Sequence, residues 1–366
     1  MSQSRTDFAT LFVDEVALLD VRAPVEFAKG AFPQAVNLPL MDDLERQRVG
    51  TRYKRQGQQA ALELGHRLVS GELKRRRIES WARFARAHPE GCLYCFRGGL
   101  RSQIVQRWLR DEAGIDYPRV AGGYKALRGF LSEVIERAVV ECEWVRIGGL
   151  TGVGKTEVLA GVANAVDLEG LACHRGSSFG GRVTPQPAQI DFEHRLAIAL
   201  LKLREAGTAR LIVEDEGGRI GRCMLPLALQ RRMQRAPLIW LEAPLSQRIE
   251  RVLKDYVIDL RAEFIAAFGL KPGLEHFAER LEQSLASLSK RLGVERYRRL
   301  AALMSWALAS SAEESLALHR GWIHLLLDEY YDPIYRYQRD SQQQQVLFSG
   351  EREAVLDYLR SMACAR

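Results

Sequence analysis

The chain has 366 residues, 47% of them hydrophobic and 27% charged, the balance of a globular protein rather than of a disordered or fibrous one. Single cores stop growing at roughly 250–300 residues, so two domains are expected. The opening MSQSRTDFAT carries no apolar leader and no apolar run is long enough to span a bilayer; with a net charge of +7, this reads as a cytoplasmic protein with no membrane partner and an affinity for polyanions.

The first elements alternate. EVALLDV (15–21) is an apolar run of strand length, APVEFAKG begins a helix, and AVNLP (35–39) is a second short extended piece. Residues 42–88 are charged, with apolar residues at helical spacing. GCLYCF (91–96) reads as a buried strand, RSQIVQRWLRDEA (101–113) as a helix, and YPRVAGGYKALRGFLSEVIERAVVE as a strand, a glycine turn and a long amphipathic helix. Alternation of this kind implies a parallel α/β sheet.

Between the strand and helix at 91–113 stands Cys95-Phe-Arg97-Gly98-Gly99-Leu-Arg101. A loop there converges backbone N–H groups on one point and adds the helix dipole, so it suits a thiolate and a small anion. Arg97 and Arg101 would lower the thiol pKa and grip the anion, and Gly98 and Gly99 let the backbone curl round the sulfur. Cys95 is therefore the candidate catalytic nucleophile. The other cysteines (92, 142, 173, 223, 364) are scattered, which is no disulfide framework. The lone Cys92-x-x-Cys95 lacks the second pair a zinc site needs, and Cys92 inside a strand does not suit a redox pair.

A second unit starts at WVRIGGLTGVGKTEVLAGVA (144–163). Gly149 to Thr156 fits G-x-x-x-x-G-K-[ST], after an apolar strand and before a helix, the context that motif requires. The amides of Gly149, Gly152 and Gly154 would cradle a diphosphate, Lys155 would meet its outer oxygens, and Thr156 can ligate Mg2+, whose presence stays open. ARLIVEDE (209–216) supplies Asp215 and Glu216 at a strand end, and PLIWLEA (237–243) is another strand. The glycine-rich segment 173–193, with His174, Arg175, Ser177 and Ser178, is a candidate substrate loop. From about 245 onward the pattern is helical. The domain boundary falls within 128–143, giving units 1–135 and 136–366.

Four basic clusters, at 52–56, 73–86, 229–235 and 294–300, fit a nucleic-acid partner. Gly65 and His66 in the helical insert are secondary candidates. Tyr330, Tyr331, Tyr335 and Tyr337, around Asp332, would suit stacking on unpaired RNA bases.

LLDVRAPVEFAKGAFPQAVNLPL resembles the N-terminal signature of rhodanese domains, with Asp20 and Arg22 after the strand and Glu26 opening the next helix, and VAGGYKAL (120–127) resembles the closing rhodanese motif. Cys95 falls on the sulfur-carrying cysteine. Cys95 to Arg101 spans seven residues where the common rhodanese loop has six, which suggests a larger group than a plain persulfide and argues against simple thiosulfate sulfurtransfer. A rhodanese-like unit fused to a P-loop unit resembles the bacterial tRNA 2-selenouridine synthases, and YCFRGGLRS, LEGLACHRGSSFG, VEDEGGRIG and YYDPIYRYQ (330–338) resemble blocks of that family over nearly the whole chain.

The resemblance implies an N-terminal rhodanese-like parallel-sheet domain followed by a P-loop NTPase-like α/β domain with a helical C-terminal part. It also implies a transferase that takes wobble 2-thiouridine at tRNA position 34 to 2-selenouridine through S-geranyl-2-thiouridine. Its substrates would be geranyl diphosphate, held at the P-loop, and selenophosphate, held by the Cys95 loop and supplied by a selenophosphate synthetase. Cys95 would take selenium covalently or assist its delivery. The rivals are an ATP-dependent tRNA sulfurtransferase, which would use the P-loop as an NTPase, and a non-enzymatic RNA-binding module. Intact Cys95, Lys155 and Thr156 weigh against the latter.

Overall fold

Residues 4–341 and 345–364 are described by a computed structural model, an α/β chain whose two main sheets are both parallel. It forms two compact units, Met1–Ala138 with Ala188–Gly207 and Val139–Pro187 with Thr208–Arg366.

In the first unit β1 (Ser4–Arg5), β2 (Leu18–Asp20), β3 (Ala35–Asn37), β4 (Cys92–Tyr94) and β5 (Arg119–Val120) lie in the order β1-β5-β4-β2-β3. The register sets Leu18 beside Cys92 and Asp20 beside Tyr94. All six residues of β2 and β4 are fully buried, as strands covered on both faces must be, so they read as continuous runs rather than alternating ones. Between β3 and β4 comes the helical insert, Asp43–Leu68 and Gly71–Ala87. Asp42 caps its start by accepting from the Glu45 amide, and Glu45 accepts from the Asp42 amide, both at 2.8 Å. Gly57, at φ +80°, breaks Asp43–Leu68 into two helices.

A single cut near 135 puts the helix Gln189–Glu205 in the second unit, but it packs within the first. The Ala31 amide donates to Asp191 at 2.7 Å, His194 Nδ1 meets the Ala31 carbonyl at 2.8 Å, and the Phe32 and His194 rings lie 4.6 Å apart. Phe192, Leu196 and Leu200 are fully buried on the same helix. An amphipathic stripe states that a helix has a buried face without stating which core receives it.

In the second unit β6 (Glu143–Gly149), β7 (Ala165–Val166), β8 (Arg210–Glu214), β11 (Leu238–Leu241) and β12 (Val346–Gly350) order as β12-β11-β6-β8-β7, with a hairpin of β9 (Arg219–Ile220) and β10 (Cys223–Met224) apart. β6 is central, and the loop leaving its carboxyl end is the P-loop. The expectation of helix throughout from 245 needs correcting. After a helical subdomain built round Phe264, Phe277, Leu281 and Trp322, the chain returns as β12 beside β11, and helix Arg352–Cys364 buries Val355, Leu356 and Leu359 on that sheet. Two π-turns, Lys254–Ile258 and Leu327–Tyr331, interrupt the helices. No helix of the described residues is long and apolar enough to cross a membrane.

Candidate functional site

In the first unit Cys95 is the residue after β4, 3% exposed. Its thiol donates to Ser102 Oγ at 3.3 Å, which donates on to the Gly99 carbonyl at 2.9 Å. Three of the loop's carbonyls are occupied: Cys95 O accepts from the Tyr124 amide at 2.9 Å, Phe96 O from Lys125 at 3.0 Å, and Gly98 O from Arg119 at 3.1 Å. The amides of Arg97, Gly98 and Gly99 have no acceptor among the described residues. The loop therefore turns acceptors inward and leaves donors for a ligand. Its back wall is Gly123, at φ +61°, where a Cβ would sit 2.2 Å from Cys95 O and 2.5 Å from Gly98 N. Only glycine fits there.

The arginines divide. Arg97 is exposed, whereas Arg101 is held by Glu26 through a two-pronged bridge of 2.5 and 3.1 Å, with Arg46 3.1 Å from the same carboxylate. Burial pushes the Glu26 carboxyl up, but Arg101, the Ala23 amide and Arg46 outweigh it and hold it below the ordinary range. Arg101 thus closes the loop against Glu26, an arrangement the expected pair of anion-gripping arginines did not include. Asp20 and Arg22 form a buried pair behind it, Nε to Oδ2 at 2.8 Å, with the guanidinium 3.9 Å above the Tyr124 ring and one Nη donating to Gly30 O. Cys92 is fully buried and its thiol is pushed up to about 12, so it is inert at neutral pH. Gly65 and His66 both line an apolar cavity of about 590 Å3 whose wall includes Leu100, Ile104 and Trp108 from the helix after the Cys95 loop.

In the second unit the P-loop curls tightly at Gly152, φ +76°, where a Cβ would meet Arg248 O at 2.8 Å. Arg248 is buried, paired with Asp332 at 2.8 and 2.6 Å, and donates to Thr151 O at 3.2 Å; Arg251 reaches Gly152 O. A cavity of about 400 Å3 opens over the loop, lined by Lys155, Glu169, Arg175, Ser177, Glu216 and Tyr335 among others. Four cations line it, Lys155, Arg175, Arg182 and Arg251, together with Thr151. Cations gathered round a P-loop suit an anion there.

The strand-end acids also divide. Asp215 is bound to Arg146 at 2.5 Å, whereas Glu216 faces the cavity beside Glu169, with which it shares a hydrogen bond. Burial, then the neighbouring Glu216 charge, pushes Glu169 up to about 8, and burial raises Glu216 as well. Burial opposes the charge on Lys155, but Tyr335, Glu216, Glu169 and Glu214 outweigh it and keep the ammonium charged. Of the candidate substrate loop, Arg175 and Ser177 line the cavity; Ser177 Oγ donates to Tyr256 Oη at 3.1 Å, which donates to Arg175 O at 3.2 Å. His174 instead bridges to Gly181, with its ring pKa lowered by burial and by Arg280, and Ser178 is exposed and hydrogen-bonded to Tyr331.

The tyrosines need correcting too. Tyr330 and Tyr331 are 6% and 9% exposed, in the helical core, and Tyr335 lines the P-loop cavity, so these three form no RNA-stacking platform; Tyr337 is exposed. Glu169 and Tyr256 were missed as site residues. Glu169 stands inside the LEGLACHRGSSFG block, where adjacency to the loop was the available signal.

The family model described as "tRNA 2-selenouridine synthase AAA domain" matches residues 142–366. The chain is 62% identical to a tRNA 2-selenouridine synthase of Azotobacter vinelandii over 99% of this chain and 98% of that one. It is 60% identical to one of Ectopseudomonas mendocina (98% and 97%) and 57% identical to one of Pseudomonas aeruginosa (100% of each).

Proposed function

The chain belongs to the tRNA 2-selenouridine synthase family, a family of tRNA-modifying transferases, and we propose that it works in two steps with one anion site in each unit. In the first, the sulfur of wobble 2-thiouridine attacks C1 of geranyl diphosphate. A C–S bond forms, the C–O bond to diphosphate breaks, and the N3 proton leaves to solvent. Lys155, the P-loop amides, Arg175 and Thr151 stabilise the departing diphosphate as charge gathers on its bridging oxygen. Thr156 and Glu216 offer oxygen donors that fit Mg2+, which would neutralise part of that charge; Asp215, tied to Arg146, does not face it.

In the second step, the S-alkylated C2 is an electrophile. Selenium from selenophosphate bonds to C2, the C2–S bond breaks to release geranylthiol, and water splits the P–Se bond to give phosphate. The amides of Arg97, Gly98 and Gly99 hold the selenophosphate oxygens, and Cys95 guides the selenium to C2.

The observation that carries this reading is the set of cations lining the P-loop cavity, supported by the unpaired amides beside Cys95. Nucleoside mass spectrometry tests it, on tRNA bearing 2-thiouridine with geranyl diphosphate and selenophosphate supplied separately and together. Geranylated nucleoside from the first alone and selenouridine from both are expected. Unchanged nucleoside in every tube, with RNA-stimulated ATP hydrolysis alongside, returns the ATP-driven sulfurtransferase.

A further inference from the structure

We propose that the apolar cavity of the first unit holds the isoprenoid chain of the S-prenylated RNA intermediate; this rests on the two-step reading above and deepens it. The cavity's volume, about 590 Å3, lies within the range of small-molecule pockets. Two helical periodicities build its wall. Leu100, Ile104 and Trp108 stand four residues apart on helix Leu100–Ala113 and so share one face. Facing them, Val49 comes from the helix before Gly57, and Ala61 and Leu62 from the one after it. The positive φ at Gly57 breaks the long helix, and both pieces line the same cavity.

Charge selects the occupant. Lys54, exposed and part of the basic run 52–56, lines the cavity, with Arg46 and Arg101 beside it sharing the Glu26 carboxylate. A neutral lipid would use the floor and ignore the cations; unmodified RNA would use the cations and ignore the floor. A prenyl thioether carried on RNA uses both. Arg101 adds position, because it ends the Cys95 loop and lines the cavity. A chain lodged there brings its thioether carbon to the loop that would deliver selenium. In the second unit, the apolar recess beside the P-loop, lined by Phe179, Trp322 and Tyr331, holds about 10 Å3, room for about one water.

The test is equilibrium binding of an anticodon stem–loop RNA carrying S-geranyl-2-thiouridine, against the same RNA carrying the S-methyl group. The full chain should bind the geranyl RNA at least about 30-fold more tightly, with a change in Trp108 fluorescence that Trp108→Phe removes. Val49→Trp, which fills the space from a half-buried position, should erase the preference at unchanged melting temperature, and Ile104→Glu, which puts a charge in a wall packed on the core, should erase it at some cost in stability. Equal affinity of the full chain for both RNAs overturns the proposal, as does a preference that survives Val49→Trp in folded protein. The readout needs no turnover. Tight, chain-dependent binding with no selenouridine formed on adding selenophosphate would therefore sink the two-step function and leave the cavity assignment standing.

Discussion

Cys92 and Cys95 lie three residues apart and are chemically opposite. Cys92 is inside β4 with its thiol pushed up to about 12, while Cys95 is past the strand end, with Ser102 as acceptor and loop amides beside it. Cys95→Ser should lower selenouridine formation by at least about 100-fold, the scale on which a positioned reacting group acts. Geranylation at the other unit should continue, and nucleoside mass spectrometry reads both. Gly123→Ala should do similar harm by another route, since the new Cβ would displace Cys95 O. A cost of about 1–3 kcal/mol in stability accompanies it, visible by thermal melting.

A pH dependence belongs to this scale as well. Round the P-loop cavity stand four cations (Lys155, Arg175, Arg182, Arg251) and five carboxyl groups (Glu157, Asp167, Glu169, Glu216, Asp255). A diphosphate enters this balance more easily while Glu169 and Glu216 share a proton. Their carboxyls are raised above the ordinary value, so the proton is kept at neutral pH and lost as pH rises through about 8. Stability from that pair follows the same sign: fully present below the usual carboxylate range and lost as pH rises through about 8. Diphosphate affinity without metal, measured by calorimetry, should fall above about pH 8, and Glu169→Gln should flatten the profile. A profile unchanged by that substitution would assign the proton elsewhere.

At the scale of elements, what could be read from the chain was what short-range pattern encodes. GLTGVGKT between an apolar strand and a helix announced the P-loop because the motif carries its own context, and CFRGGLRS announced the anion loop for the same reason. What stayed hidden depended on distant partners. β12 is five residues long and pairs with a strand about a hundred residues earlier, so nothing local marks it. Helix Gln189–Glu205 buries Phe192, Leu196 and Leu200 in a core far from it in sequence, and nothing local marks the π-turns that hold Tyr256 and Tyr331. The division between Asp215 and Glu216 was hidden because Arg146, 69 positions away, decides it. Arg248 shows how far the P-loop depends on such partners: it joins the helix Leu245–Leu253 to Asp332 and to the loop carbonyl of Thr151. Arg248→Ala leaves the buried Asp332 carboxylate only the exposed Arg336, 3.7 Å away, and the second unit should lose about 3 kcal/mol and most of its diphosphate affinity. Arg248→Lys should recover the charge but not the two-pronged geometry, and so only part of both.

Over the whole molecule the charge is unevenly shared. The first unit carries 26 Lys and Arg against 20 Asp and Glu, the second 27 against 26, so nearly all of the net +7 belongs to the unit that holds Cys95 and the apolar cavity. A folded core gains nothing from that excess, which raises self-repulsion. It fits a surface that meets phosphates, where each neutralised charge releases counterions and steepens the salt dependence. The basic run Arg52, Lys54 and Arg55 is exposed or half-exposed on the helix that walls the cavity, where RNA must lie if its modified base is to reach the Cys95 loop. Binding of unmodified tRNA should weaken steeply with salt. Replacing Arg52, Lys54 and Arg55 with alanine should lower the affinity and reduce the log–log salt slope by about 2, at about 0.7 for each phosphate no longer neutralised. The equivalent triple replacement of Arg231, Arg232 and Arg235 in the near-neutral second unit should change the slope by less. If both triples shift it equally, the charge excess of the first unit is not the RNA footprint, and phosphates are neutralised by both units alike.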